Sequence, residues 1–270
     1  MAVFSHIRTL YTPVQPFVKQ GEGEVVYREL LPDPRLQEYV FCYWQLKMDR
    51  PMPHAFDYRV VADGCMDIFF EWQRPQESFV MGFSDACTSF PLEGPFDYVG
   101  IRFLPGMFPR LFHSDAGELS DQVTALADVA PVAARLLSDH FREGMGLHRL
   151  QTLLDGFLMQ VVSKAKEADH RVQEAVDLIV RTAGIITLKT ELPPGISSRQ
   201  LRRLFSFYIG DTPKVFSKVV RFQQVLQSTH AGEGIRKNRS YLDAGYYDQA
   251  HFIREFQRLY GLTPAKVFHK

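Results

Sequence analysis

The stretch GYYDQAHFIREFQRLYGLTP, residues 245–264, decides the fold of the C-terminal part of the chain. Its apolar residues recur at helical spacing, at Phe252, Phe256 and Leu259. Such spacing predicts an amphipathic helix. Gly261 suits the left-handed position that ends a helix, and Thr263 and Pro264 suit the cap and first residue of the next one. The stretch therefore predicts a short helix, a tight stop and a second helix.

The same pattern occurs earlier, in SSRQLRRLFSFYIGDTP, residues 197–213. Both copies obey Arg-x-Phe-x4-Gly-x-Thr-Pro with every position offset by 51 residues. The matched positions are Arg203, Phe205, Gly210, Thr212 and Pro213 in one copy and Arg254, Phe256, Gly261, Thr263 and Pro264 in the other. Ser197 and Gln200 add a capping-box pattern to the first copy. Residues 213–229 predict a connecting helix of about 16 residues, roughly 24 Å long.

Each predicted helix carries a polar strip opposite its apolar side. In the first copy the strip consists of Arg199, Arg202, Arg203 and Ser206, and the matching positions of the second are Ala250, Ile253, Arg254 and Gln257, with Gln249 beside them. Arginine and glutamine suit bidentate contacts with guanine and adenine edges, and a helix fits the major groove. The connecting helix would hold the two strips about one DNA turn, ~34 Å, apart. A solvated surface is the alternative for a single strip, but two equivalent strips favour DNA binding.

The charge distribution separates the part of the chain that contains both copies of the repeat from the part before it. Residues 171–270 contain 16 Lys and Arg against 8 Asp and Glu, a net charge of +8, which leaves −8 on residues 1–170 of a neutral chain. Such asymmetry is typical of a nucleic-acid-binding domain joined to another module. The alternative is that two domains of complementary charge dock on each other.

The first ~115 residues predict strands, and the following segments predict helices. Aromatic and β-branched runs such as YVFCYWQLKM and FDYVGIRFL are separated by Pro, Gly and Asp clusters. From Ala116 the period becomes helical, over residues 117–141 and 146–165 and then over 171–184, which Gly184 closes. The helix at 146–165 has an apolar stripe that either packs on its own domain or forms a dimer seam: Leu147, Leu150, Leu154, Phe157 and Val161.

The two C-terminal copies resemble the tandem helix-turn-helix domain of AraC-type transcriptional regulators, over roughly residues 171–268. The resemblance implies seven helices, two of them recognition helices that enter successive major-groove segments. Its base-facing positions fall on Arg199, Arg202, Arg203, Gln249, Ala250, Ile253 and Arg254. Its framework positions fall on Phe205, Gly210, Pro213, Gly245, Phe252, Phe256, Gly261 and Pro264. The N-terminal half is similar, more weakly, to the strand-rich sensor domain of some of these regulators, through PRLQEYVFCYWQ, VADGCMDIFFEW and YVGIRFLPGMFPRLF; this implies an effector-binding or oligomerising module.

Two departures from the family pattern concern the scaffold of each unit. Pro193 and Pro194 lie where the first helix of the first unit should continue, and a proline in a helix interior costs about 3 kcal/mol. Ser240 and Tyr241 replace the usual Ile-Ala pair before LDAGYYDQ. These changes leave open a degenerate interaction module that dimerises but no longer binds DNA.

Enzymes and membrane proteins are disfavoured by the motifs. The chain has no GxSxG, GxGxxG, P-loop or HExxH pattern and no membrane-length apolar run. Asp63, Asp67 and Glu71 near Cys65 read either as paired carboxylates or as a polar sheet face. An aromatic pocket or simple core is predicted around Tyr43, Trp44, Phe69 and Trp72. The three cysteines, Cys42, Cys65 and Cys87, lack CxxC spacing, which indicates a reducing compartment.

We therefore predict an α+β fold. Residues 1–168 form an N-terminal β-rich, cupin- or barrel-like domain with a helical extension, and residues 169–270 form a C-terminal all-α tandem helix-turn-helix domain. The predicted function is that of a cytoplasmic, sequence-specific DNA-binding transcriptional regulator, not an enzyme, with no cofactor, metal or membrane. Its predicted partners are double-stranded promoter DNA, a small-molecule effector and a second copy in a homodimer.

Overall fold

The computed structural model describes residues 7–19, 25–51, 55–141, 145–165, 169–186, 195–230 and 244–268. Its strands are β1 (Val26–Leu30), β2 (Val40–Met48), β3 (Phe56–Val60), β4 (Met66–Glu71), β5 (Ser78–Met81), β6 (Thr88–Leu92), β7 (Phe96–Phe103) and β8 (Val123–Ala125). They lie in the first half of the chain, and the described elements of the second half are helices. The predicted α+β fold class, with a strand-rich N-terminal domain and a helical C-terminal domain, is confirmed.

Two antiparallel sheets build the first domain. Six strands pair in the order β1-β2-β7-β4-β5-β8, and β3 pairs with β6 in a separate two-stranded ribbon. The ribbon packs through aromatic side chains on one face of the large sheet. At the centre, Gly100 in β7 lies opposite Trp44 in β2. A Cβ at Gly100 would be 2.2 Å from the indole ring, so the glycine makes room for the tryptophan.

The other face of the large sheet is covered by helices. These are α1 (Ile7–Leu10), α2 (Met107–Phe112), α3 (Ala116–Leu119), α4 (Leu126–Val129), α5 (Pro131–His140) and α6 (Leu147–Lys164). Short 3-10 turns occupy Pro16–Lys19 and Pro34–Leu36. The prediction of helix throughout residues 117–141 is wrong in part. Asp121 has a left-handed φ of 56°, and β8 adds to the edge of the sheet beside β5. Helix resumes in the single turn of α4 and then in α5.

The apolar stripe of α6 packs within its own domain. Leu150, Leu154 and Phe157 are buried, and α6 contacts α2 and the 3-10 turn at Pro34–Leu36. The carboxylate of Asp155 fixes this packing by accepting hydrogen bonds from the hydroxyl of Tyr43 and the backbone N–H of Asp33. The described burial therefore accounts for the stripe without a dimer seam, and the homodimer stays a prediction.

The C-terminal helices are α7 (His170–Arg181), α8 (Ser198–Ile209), α9 (Pro213–His230), α10 (Gln249–Tyr260) and α11 (Pro264–Phe268). Gly184 follows the end of α7, and its N–H donates a hydrogen bond to the carbonyl of Ile179 in the last turn of that helix. This glycine therefore closes the helix as predicted. One continuous apolar core joins these helices to the first domain. The docking of the two halves, which the charge asymmetry left open, is thus present, and the boundary at residues 168/169 stays a prediction.

Candidate functional site

The first copy of the repeat forms α8, a capped helix with one buried and one exposed side. Ser197 and Gln200 form the predicted capping box, and Gly210 ends the helix with a φ of 109°. The buried side consists of Leu201, Phe205 and Ile209. Opposite them, Arg199, Arg202, Arg203 and Ser206 are exposed. We call these four residues the first strip.

The second copy forms α10 in the same way. The side chain of Asp248 caps the helix by accepting a hydrogen bond from the N–H of His251, and Gly261 ends it with a φ of 84°. The buried side consists of Phe252, Glu255, Phe256, Leu259 and Tyr260. On the outer side Gln249, Ala250, Arg254 and Gln257 are exposed and Ile253 is half-buried. We call these five residues the second strip.

The connecting helix α9 contacts both strip-bearing helices from one rigid element. It has 18 residues, hence a length of about 27 Å, close to the predicted length. Phe216 lies 6.2 Å from Phe205 of α8, and Phe222 lies 5.5 Å from Phe256 of α10, measured between ring centroids. Thr212 caps α9, since its hydroxyl accepts a hydrogen bond from the N–H of Val215. The two units therefore share α9 as a scaffold.

A buried charge ties α10 to α9. The carboxylate of Glu255, 6% exposed, lies 3.5 Å from the charged groups of Lys218 and Arg221 and 3.5 Å from the imidazole of His251. Arg221 also covers the ring of Tyr246 at 4.6 Å and donates a hydrogen bond to the carbonyl of Gly245. These contacts fix the turn that precedes α10, and thereby the direction in which the second strip faces.

The exposure of the predicted base-facing residues agrees with the strips proposed from the sequence. Six of the seven are exposed and Ile253 is half-buried at the edge of the core. Tyr247, which the sequence analysis did not single out, is 88% exposed at the turn before α10. Its only sequence signal is the pair Tyr246-Tyr247, of which the first is buried. The departures at residues 193–194 and 240–241 lie outside the described residues.

The first domain contacts the C-terminal end of each strip-bearing helix. At α8, the hydroxyl of Ser120 donates a hydrogen bond of 2.8 Å to the carbonyl of Gly210. At α10, the N–H groups of Ala62 and Cys87 donate to the carbonyls of Leu259 and Arg258. These carbonyls have no partner within a helix, so the first domain supplies the missing donors.

An ion pair adds to the contact at α10. The guanidinium of Arg258 bonds to both oxygens of the Asp85 carboxylate at 2.6 and 2.7 Å. Together, hydrogen bonds and this ion pair hold the two units against the first domain while the strips stay exposed.

Residues 61–67, which comprise the connection from β3 to β4 and the first two residues of β4, reach from this contact into the first domain. The carbonyl of Ala62 accepts a hydrogen bond from Gln223 of α9, a side chain with no exposed surface. The carboxylate of Asp63 accepts one from Gln15, whose amide also pairs with the backbone of Val61. At the far end Asp67 lies in β4. One short segment thus touches α9, α10 and the interior of the first domain.

A cavity of about 90 Å³ lies between the ribbon and the large sheet. Its aromatic lining comes from five strands: Trp44, Tyr58, Phe69, Phe90 and Tyr98. Aliphatic side chains complete it, and Asp67 and Arg102 are its only charged lining residues. Of the predicted pocket residues, Trp44 and Phe69 line the cavity. Tyr43 and Trp72 are instead buried in the main core.

Asp67 and Arg102 belong to a buried ionic cluster with Asp63. The guanidinium of Arg102 bonds to Asp67 at 2.9 and 3.2 Å and lies 3.5 Å from Asp63. Trp44 donates its indole N–H to Asp67 at 2.9 Å. Burial raises the pKa of Asp67 against the opposing effect of Arg102. For Arg102, burial works to lower the pKa, but the two carboxylates outweigh it and raise that pKa well above its usual value.

The carboxylates near Cys65 are only partly brought together. Asp63 and Asp67 meet at Arg102, whereas Glu71 pairs with Arg74 at the surface. The described residues contain no group of three or more His, Cys, Asp or Glu side chains placed to hold a metal ion. Within the described part of the chain, none of the helices has the length and apolar character needed to cross a bilayer.

Comparisons with solved structures find weak similarity. Two structures of ToxT from Vibrio cholerae each have a TM-score of 0.39. The first is 13% identical, and the match covers 83% of this chain and 95% of the ToxT chain. The second is 12% identical, and the match covers 91% of this chain and 98% of the ToxT chain. A third, of ToxT bound to (E)-4-(8-methylnaphthalen-1-yl)but-3-enoic acid, has the same TM-score at 10% identity and covers 83% and 97%. No curated protein sequence matches the chain.

Comparisons with protein families match each domain separately. Residues 28–125 match the family described as "Domain of unknown function (DUF6597)", and residues 194–270 match the one described as "Helix-turn-helix domain". The second match spans α8, α9, α10 and α11, the elements that carry both strips. The chain therefore has a strand-rich N-terminal domain followed by a helix-turn-helix domain of the AraC type, as the sequence resemblance predicted.

Proposed function

We propose that this protein is a sequence-specific transcriptional regulator in which α8 and α10 read successive major-groove segments of promoter DNA. The observation that carries the proposal is the exposure of two equivalent strips on capped helices whose opposite sides are buried. Both strips stay open to solvent with the first domain in contact with both helices. DNA can therefore approach them without separation of the two domains.

The side chains of the strips suit different base edges. The proposed readers are Arg199, Arg202, Arg203, Gln249, Ala250, Ile253 and Arg254. The arginines suit guanine O6 and N7, Gln249 suits adenine, and Ile253 and Ala250 suit the methyl group of thymine. Tyr247 adds an exposed hydroxyl beside the second strip that suits a phosphate or sugar contact.

A small-molecule effector in the cavity of the first domain would modulate DNA binding. Support comes from residues 61–67, which connect the cavity wall at Asp67 to α9 and α10 through hydrogen bonds of Ala62. The described cysteines are all free thiols, in agreement with a cytoplasmic location. Homodimer formation is a separate part of the proposal, and sedimentation of the full chain measures it.

The experiment is DNA binding by the full chain. Fragments selected from genomic DNA should bind with an affinity that falls steeply as salt rises, because Lys and Arg release counterions from phosphates. Arg202→Ala should weaken binding to a selected site by ~1–3 kcal/mol and leave binding to random DNA nearly unchanged. Arg149→Ala, which removes an exposed arginine from α6 of the first domain, is the matched control and should bind as the native chain does.

Two results would contradict the proposal. Equal losses on selected and random DNA would assign Arg202 to phosphate contacts instead of base contacts. Binding that is absent or insensitive to salt would leave an interaction module that no longer reads DNA, the alternative raised by the scaffold departures.

A further inference from the structure

The wall of the cavity of the first domain contains part of a buried cluster of two carboxyl groups and one guanidinium. Arg102 is the only cation of its lining, and it is bonded to Asp67 and lies within 3.5 Å of Asp63. The side chains of these three residues are 4%, 11% and 8% exposed, respectively. Two carboxyl groups thus share one guanidinium, so the cluster carries one negative charge in excess when both are ionised. Asp67 is the carboxylate of the cluster that lines the cavity.

The aromatic lining adds to the same preference. The faces of the five rings carry the negative part of the aromatic quadrupole, which attracts a cation within about 6 Å of the ring centre. An anion, by contrast, would lie beside the Asp67 carboxylate and would compete with it for Arg102. Two negative charges held close together in a buried site destabilise each other. The aromatic lining and the Asp67 carboxylate therefore both favour a positively charged ligand.

The hydrogen bonds of Asp67 narrow the type of cation. One carboxylate oxygen accepts from Trp44 and Arg102 and the other accepts from Arg102. A carboxylate has about four acceptor positions, and these three hydrogen bonds leave one of them open at Asp67. A primary ammonium group has three N–H donors, so two of its donors would find no acceptor on Asp67. A quaternary ammonium group has no N–H donors and loses nothing here. A volume of about 90 Å³ is several times the ~10–15 Å³ that one water needs and has room for such a compact group.

We propose that the cavity between the ribbon and the large sheet binds a small quaternary ammonium compound, with the aromatic rings around the cation and Asp67 as its counter-ion. This inference rests on the proposed function, since it assigns a chemical class to the effector. It predicts that the cavity binds a cation more tightly than a carboxylate or a neutral molecule of the same shape.

Three probes of one shape test the charge preference. Choline is a cation, 3,3-dimethylbutan-1-ol is neutral and 3,3-dimethylbutanoate is an anion. All three end in a branched group of the same shape, a trimethylammonium group in choline and a tert-butyl group in the other two. Isothermal titration calorimetry on the full chain should give choline at least about tenfold tighter binding than the alcohol, since a desolvated cation–π contact exceeds this factor. The butanoate should give no heat of binding. Equal or tighter binding of the alcohol or the butanoate overturns the proposal, as does the absence of choline binding.

Variants locate the site. Asp67→Asn should weaken choline about tenfold or more and the alcohol much less, because it removes the counter-ion. It also replaces one of the two oxygens that accept from Arg102 and Trp44, so Phe90→Leu is needed beside it. Phe90→Leu, in the ribbon and away from the ionic cluster, provides a second test that leaves the buried charges intact and should also weaken choline. Phe112→Leu, a half-buried phenylalanine of α2 outside the cavity, is the control. Unchanged choline binding in both Asp67→Asn and Phe90→Leu overturns the proposal.

DNA binding by the same preparation separates the two proposals. If selected DNA binds and choline does not, the assignment of the cavity fails and the regulator stands. If choline binds with the predicted preference and no DNA binds, the cavity assignment stands and the regulator fails. A change in DNA affinity on adding choline supports both.

Discussion

The two helix-turn-helix units have the same framework and different outer surfaces. The first strip carries three arginines, whereas the second carries one arginine among Gln249, Ala250, Ile253 and Gln257. Attraction to phosphate and guanine is therefore concentrated in the first unit. Amide and apolar contacts, which suit adenine and the thymine methyl, are concentrated in the second. A duplicated fold can thus divide its work, with one copy supplying charge and the other supplying shape.

The cores of the two units differ as well. Phe205 and Phe256 occupy the same position of the repeat, and both are fully buried. Phe205 has one close ring neighbour among the described aromatic pairs, Phe216 of α9. Phe256 is surrounded by rings within 5.6 Å: Phe222, Phe252, Tyr260 and Phe268. The second unit therefore depends more on a single aromatic side chain.

The largest expected effect is the loss of that side chain. Phe256→Ala should lower the free energy of unfolding by about 3–5 kcal/mol, measured by urea denaturation. Phe205→Ala should cost less, because each lost aromatic pair contributes about 0.5–1.5 kcal/mol beyond area burial. Equal losses would show that the ring cluster adds nothing to ordinary apolar burial.

The next effect separates the two strips on DNA. Arg254→Ala should weaken binding to a selected site by about 3 kcal/mol, because it removes the only cation of the second strip. Arg203→Ala, at the matched position, should cost nearer 1 kcal/mol, because Arg199 and Arg202 remain. Fluorescence anisotropy with one labelled duplex measures both. A larger loss for Arg203→Ala would reverse the proposed division between the strips.

A smaller effect tests the glycines that end the helices. Gly210→Ala and Gly261→Ala each force a left-handed residue to carry a Cβ, at a cost of about 1–2 kcal/mol. Gly210→Ala should cost more, because its Cβ would be 2.3 Å from the Ser120 hydroxyl, against 3.0 Å from the Cys87 sulfur at Gly261. Thermal unfolding measures the difference. Gly156→Ala, inside α6 with open space around it, is the control and should stabilise by roughly 0.5–1 kcal/mol.

The smallest effect concerns the ion pair between the second unit and the first domain. Arg258 and Asp85 have side-chain exposures of 63% and 22%, so solvent screens their attraction. A double-mutant cycle with Arg258→Gln and Asp85→Asn should give a coupling of about 0.2–1 kcal/mol in unfolding free energy. The coupling should shrink as salt is added. A coupling that stays constant from low to high salt would mean that the pair acts through packing.

The helices of the C-terminal domain could be predicted from sequence because each carries its own signals. Ser197 with Gln200, Gly210 and Gly261 are local caps, and they act within a few residues of chain. The repeat offset then identified the strips without any knowledge of tertiary contacts. Exposure of a strip follows from the burial of the opposite apolar side, which the same periodicity predicts.

The cavity and the contacts between domains could not be predicted in the same way. Trp44 and Phe69 were singled out together with Tyr43 and Trp72, because composition does not tell which side of a strand faces a void. Register decides that, and it depends on pairing between distant strands. Ribbon strand β6 contains Pro91, which obscured it as a strand, so Phe90 was missed. The partnership of Arg102 with Asp63 and Asp67 spans about forty residues and leaves no local pattern.

The short connection from β3 to β4 would transmit the binding of a ligand in the cavity to the helices that are proposed to contact DNA. Ala62 caps α10 and holds α9, five residues before Asp67 in the cavity wall, whereas α8 meets the first domain only through other segments. A ligand that shifts this connection would act on α10 directly and on α8 only through α9, so it would displace the second half of the proposed reading surface more than the first. Such a regulator would stay on its DNA while its effector changes the preferred distance between the two half-operators, and so selects among promoters instead of releasing them all.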